Sequence, residues 1–258
     1  MRIYLFKTFA FFLLYSGILT LTVLAVFPAL VFGNPIRTLA STFEDWRSPC
    51  AQPETQQLPD FLQSITPTVQ PLPQILRELI VHMKETKEKI EELKHNYTQV
   101  RVKQGDCENN LDAAYLRLDG FPTTPSFKGS LRMFEERNLT DILLTDYHKL
   151  SVVMIFLEQV RWDEDVYEND QFLPILNDIF RRLKSILCVL TNALTSQNAQ
   201  VTEFANRSHS MGQRYRTMSR ADNHDRDYII MRQSLKLFSN MILKYVALKD
   251  FLDDPNSA

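Results

Sequence analysis

Glycine and proline fall in a few clusters along this chain, and no other feature constrains its fold as much. Seven of the twelve prolines (Pro35, Pro49, Pro53, Pro59, Pro67, Pro71 and Pro73) crowd residues 34–73. An arm so rich in proline lacks the amide donors a helix needs and is expected to be extended. Pro122 and Pro125 fall with Gly120 and Gly129 in a second irregular stretch, Gly212 marks a third, and Pro255 closes the chain. The long windows between these breakers are free for helices.

Each window carries a helical period. Leu72, Leu76, Leu79, Met83, Thr86, Ile90, Leu93, Tyr97 and Val100 alternate steps of four and three, with charged residues such as Lys84, Glu85, Glu88 and Lys89 between them. Gly105 is a natural stop beyond this first stripe. A second stripe runs through Leu139, Leu143, Leu150, Val153, Leu157 and Val160, with Asn138 or Thr140 as its cap. The third holds Phe172, Leu176, Ile179, Leu183, Leu187, Leu190 and Leu194, where Asp170 can cap and Pro174 is tolerated in the first turn. The fourth takes Tyr228, Met231, Leu235, Phe238, Ile242, Tyr245 and Leu252, behind the polar residues Asp222, Asn223, Asp225 and Asp227. No segment alternates convincingly as a strand does, so the expected fold class is all-α.

Connection length then selects a topology. About 35 residues separate the first two helices, about ten the second pair and about 33 the third pair. A short link joins antiparallel neighbours, whereas thirty-odd residues can run the length of a ~30 Å helix and start the next in the same direction. The expectation is a four-helix bundle, up-up-down-down, with two long crossover loops.

Composition excludes several functions. Basic and acidic residues number 29 and 31, a net charge of −2, which offers no footprint for nucleic acid. Six glycines and no phosphate-loop pattern leave nothing to cradle a nucleotide, and five scattered histidines form no metal-binding motif. No cofactor, metal or small-molecule substrate is expected, and no enzymatic activity. The acidic cluster Asp163, Glu164 and Asp165 reads as a solvated helix end, and His148, near Asp146, as a residue on the flank of the second helix.

The N-terminus points to export. Arg2 and Lys7 precede an apolar run from Phe9 to Phe32, with Val31 and Gly33 at the −3 and −1 positions of a cleavage before Asn34. Residues 1–33 read as a signal peptide, 34–71 as the proline-rich arm and 72–254 as the helical domain. The run is also long enough for a signal anchor, and both readings put the remainder outside the cytoplasm. Asn96, Asn138 and Asn206 each begin a glycosylation sequon. The expected location is secreted and extracellular, where disulfides persist. The residues alone leave three pairings open for Cys50, Cys107 and Cys188.

Three segments carry a family resemblance. "NLDAAYLRLDGFPTTPSFKGS" is similar to the stretch after the first helix in ciliary neurotrophic factor and its cardiotrophin-like relatives. "LLTDYHKLSVVMIFLEQVRWDE" resembles their leucine-rich second helix. "YIIMRQSLKLFSNMILKYVALKDFL" looks like the last helix of interleukin-six-type cytokines, with Ser234-Leu235-Lys236 and Lys249-Asp250-Phe251 as the nearest matches. The likeness covers most of residues 72–252, and the invertebrate unpaired-type ligands share the same structural class. It implies a secreted cytokine that brings class I cytokine receptor chains together so that their associated kinases activate one another. A secreted or membrane-tethered helical interaction protein without signalling is the other function these stripes permit.

The resemblance also implies contact residues. A site formed by the first long loop and the end of the last helix maps to Phe121, Pro122, Lys244, Lys249, Asp250 and Phe251, with both lysines expected to stay exposed. A second site on the first and third helices maps to Lys84, Glu88, Arg181 and Lys184. Trp162, with Phe121 and Phe127, is assigned to loops, where an aromatic can either anchor a partner or cap the bundle. The Phe-x-x-Lys pair that the neurotrophic-factor subgroup carries before its last helix is missing, leaving Tyr215 or Tyr228 in its place. In the up-up-down-down topology Cys50 is on the arm that leads into the bottom of the first helix, the end of the bundle near which Cys188 sits, and several relatives tie arm and third helix together. The expected bridge is Cys50–Cys188, with the thiol of Cys188 pointing off the core and Cys107 unpaired or available for an intermolecular bond.

Overall fold

The computed structural model describes residues 46–50, 70–102, 110–113, 116–123 and 138–253. The chain divides into two units, Met1–Phe43 and Glu44–Ala258, and everything described belongs to the second. The expected signal peptide, most of the proline-rich arm, Gly105, Cys107 and Phe127 lie outside the described residues.

Four long helices account for most of this unit, and no strand occurs among the described residues. α1 (Leu72–Arg101) starts from Pro71, in extended conformation, with a proline in its first turn, where a missing amide costs nothing. α2 (Leu139–Tyr167) is capped by Asn138, whose side chain accepts from the Thr140 amide at 3.0 Å. α3 (Leu173–Ser196) has Pro174 in its first turn as expected, but Phe172 takes the cap position in place of Asp170. Asp170 instead stands at φ 57°, and its carbonyl accepts from the Leu173 amide. α4 (Arg220–Asp253) begins eight residues before Tyr228, so the polar run at 222–227 lies inside the helix. Two short pieces, Arg207–Ser210 and the 3₁₀ turn Gln213–Tyr215, interrupt the connection from α3 to α4.

Helices α1 and α2 each pack against α3 and α4, while α1 and α2 share at most marginal contact, as do α3 and α4. Named pairs give the sense of each seam. Tyr97, near the end of α1, donates to Asp227 near the start of α4, and Arg77 near the start of α1 meets Asp253 at the end of α4. The Tyr97 ring also lies 5.5 Å from that of Phe172, the cap of α3. Between α2 and α4, Asp146 pairs with Lys244 and Asp163 with Arg226.

The four stripes meet in one core, with Leu76, Leu157, Leu183 and Phe238 fully buried. Each such side chain contributes about 1.5–3 kcal/mol by leaving water. One feature exceeds the expected single stripe: α2 is buried on every side from Val152 to Leu157. The extra faces are covered by Phe121, edge-on to Phe156 at 5.1 Å, and by the Arg207–Ser210 turn.

The arm is fastened where residues 46–50 begin. Cys50 and Cys188 form a disulfide, with Cα atoms 4.9 Å apart. Trp46 is buried beside it in the fold: its Nε1 donates to the Ala205 carbonyl at 3.0 Å, its own carbonyl accepts from Tyr147, and Arg207 stacks over its ring at 4.8 Å. Arg207 is held in that position by a two-pronged pair with Glu158.

Candidate functional site

Three places hold the residues that bear on function: the turn after α1 where it meets α4, the seam between α1 and α3, and the end of the bundle where α4 begins.

The turn is built by Arg232. Its guanidinium donates to the carbonyls of Leu111, Ala113 and Leu116, so one α4 side chain holds three points of the first connection. Tyr228 donates to Asp112 at 2.7 Å, and Gln233 Nε2 reaches the Leu116 carbonyl. Gly120 sits at φ 83°, and a Cβ there would lie 2.0 Å from the Ser210 carbonyl oxygen, so only glycine admits this approach of the two connections. The Asp119 amide closes the turn by donating to the Tyr215 hydroxyl at 2.9 Å. Between turn and helix lies an open cleft of about 290 Å³ lined by Phe121, Pro122, Gln233 and Leu237, among others.

This geometry corrects several expectations. Phe121 is 5% exposed and serves the core against Phe156, leaving Pro122 as the accessible member of the pair. Phe121 and Pro122 adjoin α4 at residues 233–237, not its end: Leu237 and Lys249 are ~18 Å apart along the helix. Lys244 is not exposed. Its side chain is 13% accessible because the ammonium is drawn onto the buried carboxylate of Asp146. Lys249 is partly covered, donating to Asp250 at 2.6 Å and reaching Asp253, with Phe251 half-buried beside them in sequence. Tyr215 and Tyr228, offered as replacements for a contact phenylalanine, are both buried and spend their hydroxyls on the turn. Trp162 lies within α2, half-buried and edge-on to Tyr167 at 5.4 Å, not in a loop.

The α1–α3 seam is joined by an ion pair. Glu85 pairs with Arg182 at 2.8 Å, and Arg182 also holds Asp178 at 3.0 Å. Arg182 is therefore a link between helices. Lys84 and Glu88 are exposed within a turn of Glu85, Arg181 is exposed beside Asp178, and Lys184 is half-buried. The three sequon asparagines are exposed: Asn96 on α1, Asn138 at the cap of α2, and Asn206 at the Arg207–Ser210 turn, where its side chain accepts from Ser208. His148 is exposed on the flank of α2, as expected.

The start of α4 holds the group that sequence reasoning misplaced. Asp163 and Glu164 are 4% and 3% exposed, not solvated. Arg226, 1% exposed, pairs with both Asp163 and Asp227 and donates to Asn223 Oδ1 and the Tyr215 carbonyl. Tyr97 donates to Asp227 at 3.1 Å, and Glu164 caps α3 by accepting from the Phe172 amide. Around this centre, Arg101, Arg220 and His224 converge on Glu168. Burial dominates the electrostatics: it pushes the Asp227 carboxyl up to about 7 against the pull of Arg226, and raises Asp163 and the Tyr97 hydroxyl. Glu168 goes the other way, held to about 2 chiefly by its hydrogen bonds from Arg220. The buried members of this cluster, Arg226, Asp163 and Asp227, fasten the start of α4 to the end of α2. Among the described residues no group of histidine, cysteine or carboxylate side chains is placed to hold a metal ion, and no helix is long and apolar enough to cross a membrane.

A signal for the buried cluster was present in the period. Counting back from Met231 by fours gives Asp227 and Asn223, so polar residues continue the apolar stripe in phase. Trp46 had no such signal, because it stands in a segment without period.

No protein-family model, no curated protein and no solved structure matches this chain.

Proposed function

We propose that this chain is a secreted helical cytokine, a ligand that brings class I cytokine receptor chains together so that their associated kinases activate one another. The reading takes the bundle as up-up-down-down with two long crossover connections. The observation that carries it is the order of the seams. Helices consecutive in sequence, α1 with α2 and α3 with α4, share at most marginal contact, and the pairs that join α4 to α1 and to α2 run from the start of one helix to the end of the other. Residues 102–138 and 197–219 are each long enough to traverse a helix of ~36 Å, at ~3.3 Å per residue, while 168–172 allow only a turn. Such a connectivity serves a ligand well, since a rigid body presents separate helix faces to separate receptor chains.

The Cys50–Cys188 bridge and the exposed sequon asparagines support secretion and glycosylation at Asn96, Asn138 and Asn206. In this reading one receptor contact uses Pro122 and the cleft beside it, with Lys249, Asp250 and Phe251 further along α4. The other uses Lys84, Glu88, Arg181 and Lys184. The test is to express the full chain with its own leader and apply the conditioned medium to cells bearing class I receptors. Tyrosine phosphorylation of the receptor-associated kinases is the expected result, and an inactive medium containing the folded protein would contradict the reading.

A further inference from the structure

The cleft between the first turn and α4 has a chemistry of its own. Its floor is apolar and rigid, made by Leu237, which is buried, and by Phe121 braced on Phe156. Its rim carries two exposed cations, Arg117 from the turn and Lys236 from α4, and no carboxylate lines it among the described residues. Asp119, the nearest acid in sequence to Arg117, is engaged by Arg214. Gln233 adds a third element. Its Nε2 is used on the Leu116 carbonyl, while its Oε1 is shut from bulk solvent without a hydrogen-bond partner among the described residues. Gln233 thus ties α4 to the turn and keeps its own amide out of a partner's reach.

From this we infer that the cleft is a docking site for an extended stretch of a receptor chain presenting a carboxylate beside an apolar side chain. The carboxylate lies between Arg117 and Lys236, and the apolar side chain fills the space over Phe121, Pro122 and Leu237. Charge complementarity selects this occupant, because two cations beside an apolar floor repel a basic segment and leave a purely apolar one with both charges facing it unpaired. The volume of about 290 Å³ suits one or two side chains and not a larger ligand. The site is also prepared before binding. Arg232, Gly120 and Tyr215 fix the turn against α4 and the second connection, so little of the interaction energy is lost in ordering it. This inference rests on the receptor-ligand reading and names the part of α4 that does the work, residues 233–237 in place of its end.

Two variants of the full secreted chain test it on cells whose kinases respond to the wild-type protein. The probe is the labelled protein itself, measured by equilibrium binding. Arg117→Glu with Lys236→Glu reverses the rim, at two exposed positions outside the core, and Thr123→Trp plugs the cleft from its exposed edge. Each should weaken binding by about tenfold or more, with helical content and melting temperature unchanged. Wild-type binding should also weaken as salt rises, and less steeply once the rim is reversed. Both variants binding within about twofold of a responsive wild type would overturn the cleft and leave the receptor reading standing. A wild-type chain that binds no receptor-bearing cell would end the reading and the cleft together.

Discussion

The middle of the bundle and the end where α4 begins use the same helical faces for opposite kinds of contact. In the middle, Met83, Leu157, Leu183 and Phe238 exclude water through non-directional packing that tolerates small shifts. At the end, the faces that carried Met231 and Val160 continue into Asp227, Asn223, Asp163 and Glu164, and these are held by hydrogen bonds of fixed direction to Arg226, Tyr97 and Phe172. The comparison teaches that a helical period marks what is buried, and leaves open whether the burial is apolar or ionic. An ionic end adds little net stability over a well-packed apolar one, but it specifies which helices meet there. We hypothesise that this is its role, since Arg226 and Asp163 join the start of α4 to the end of α2 and Tyr97 joins the end of α1.

The largest expected effect breaks that end. Arg226→Ala leaves Asp163 and Asp227 buried without their partner and should cost about 3–5 kcal/mol in chemical denaturation. The triple change Arg226→Met, Asp163→Leu and Asp227→Leu should regain most of that loss, whereas a triple variant as unstable as Arg226→Ala would mean the end contributes net stability after all. In the middle, Leu183→Ala or Leu157→Ala should cost about 2–5 kcal/mol through the cavity left. A loss within measurement error at both would mean that the stripes do not face one another. The bridge comes next: Cys50→Ser closes off a cross-link spanning 138 residues and should cost about 2–4 kcal/mol, while reduction of the wild type should match it. A smaller change is expected at the α2 cap, where Asn138→Ala removes the bond to Thr140 and should cost about 1 kcal/mol.

The two ends of the charge range at α4 predict a pH profile of definite sign. Asp227, raised from 3.8 to about 7, binds its proton more tightly in the folded state, so its contribution is present below 3.8 and lost as pH rises through about 7. Glu168, lowered from 4.5 to about 2, contributes above 4.5 and loses that contribution as pH falls through about 2. Stability should therefore peak in the mildly acidic range between the two. Asp227→Asn should flatten the decline between 3.8 and about 7 and leave the rise between about 2 and 4.5 unchanged. An equal decline over the upper window in that variant would assign the titration elsewhere.

Much of the bundle was legible before any coordinates. Proline and glycine marked where helices stop, Asn138 marked where α2 starts, and the stripe positions Leu76 and Leu183 are buried as the period requires. The candidate contact residues were less legible, for reasons that are local. Lys244 lies on the flank of its stripe, and only the fold reveals Asp146 across from it. Phe121 follows a turn whose depth depends on Gly120 meeting Ser210, ninety residues on. The start of α4 was placed late because a run of aspartates and asparagine reads as solvated until Arg226 is seen to neutralise it. Trp46 depends on Tyr147, Ala205 and Arg207 from three other segments, and no pattern within 46–50 announces them.

The central claim is that this chain bridges receptor chains through separate faces, and a dose series of the purified secreted protein on responsive cells tests it most directly. A bridging ligand should drive kinase phosphorylation upward with concentration and then downward, as excess ligand occupies each receptor chain singly. Lys84→Glu with Arg181→Glu, on the α1–α3 seam, should still bind cells through the α4 cleft yet fail to activate them and block the wild type. Saturable binding with no phosphorylation at any concentration of the wild-type protein would contradict the account.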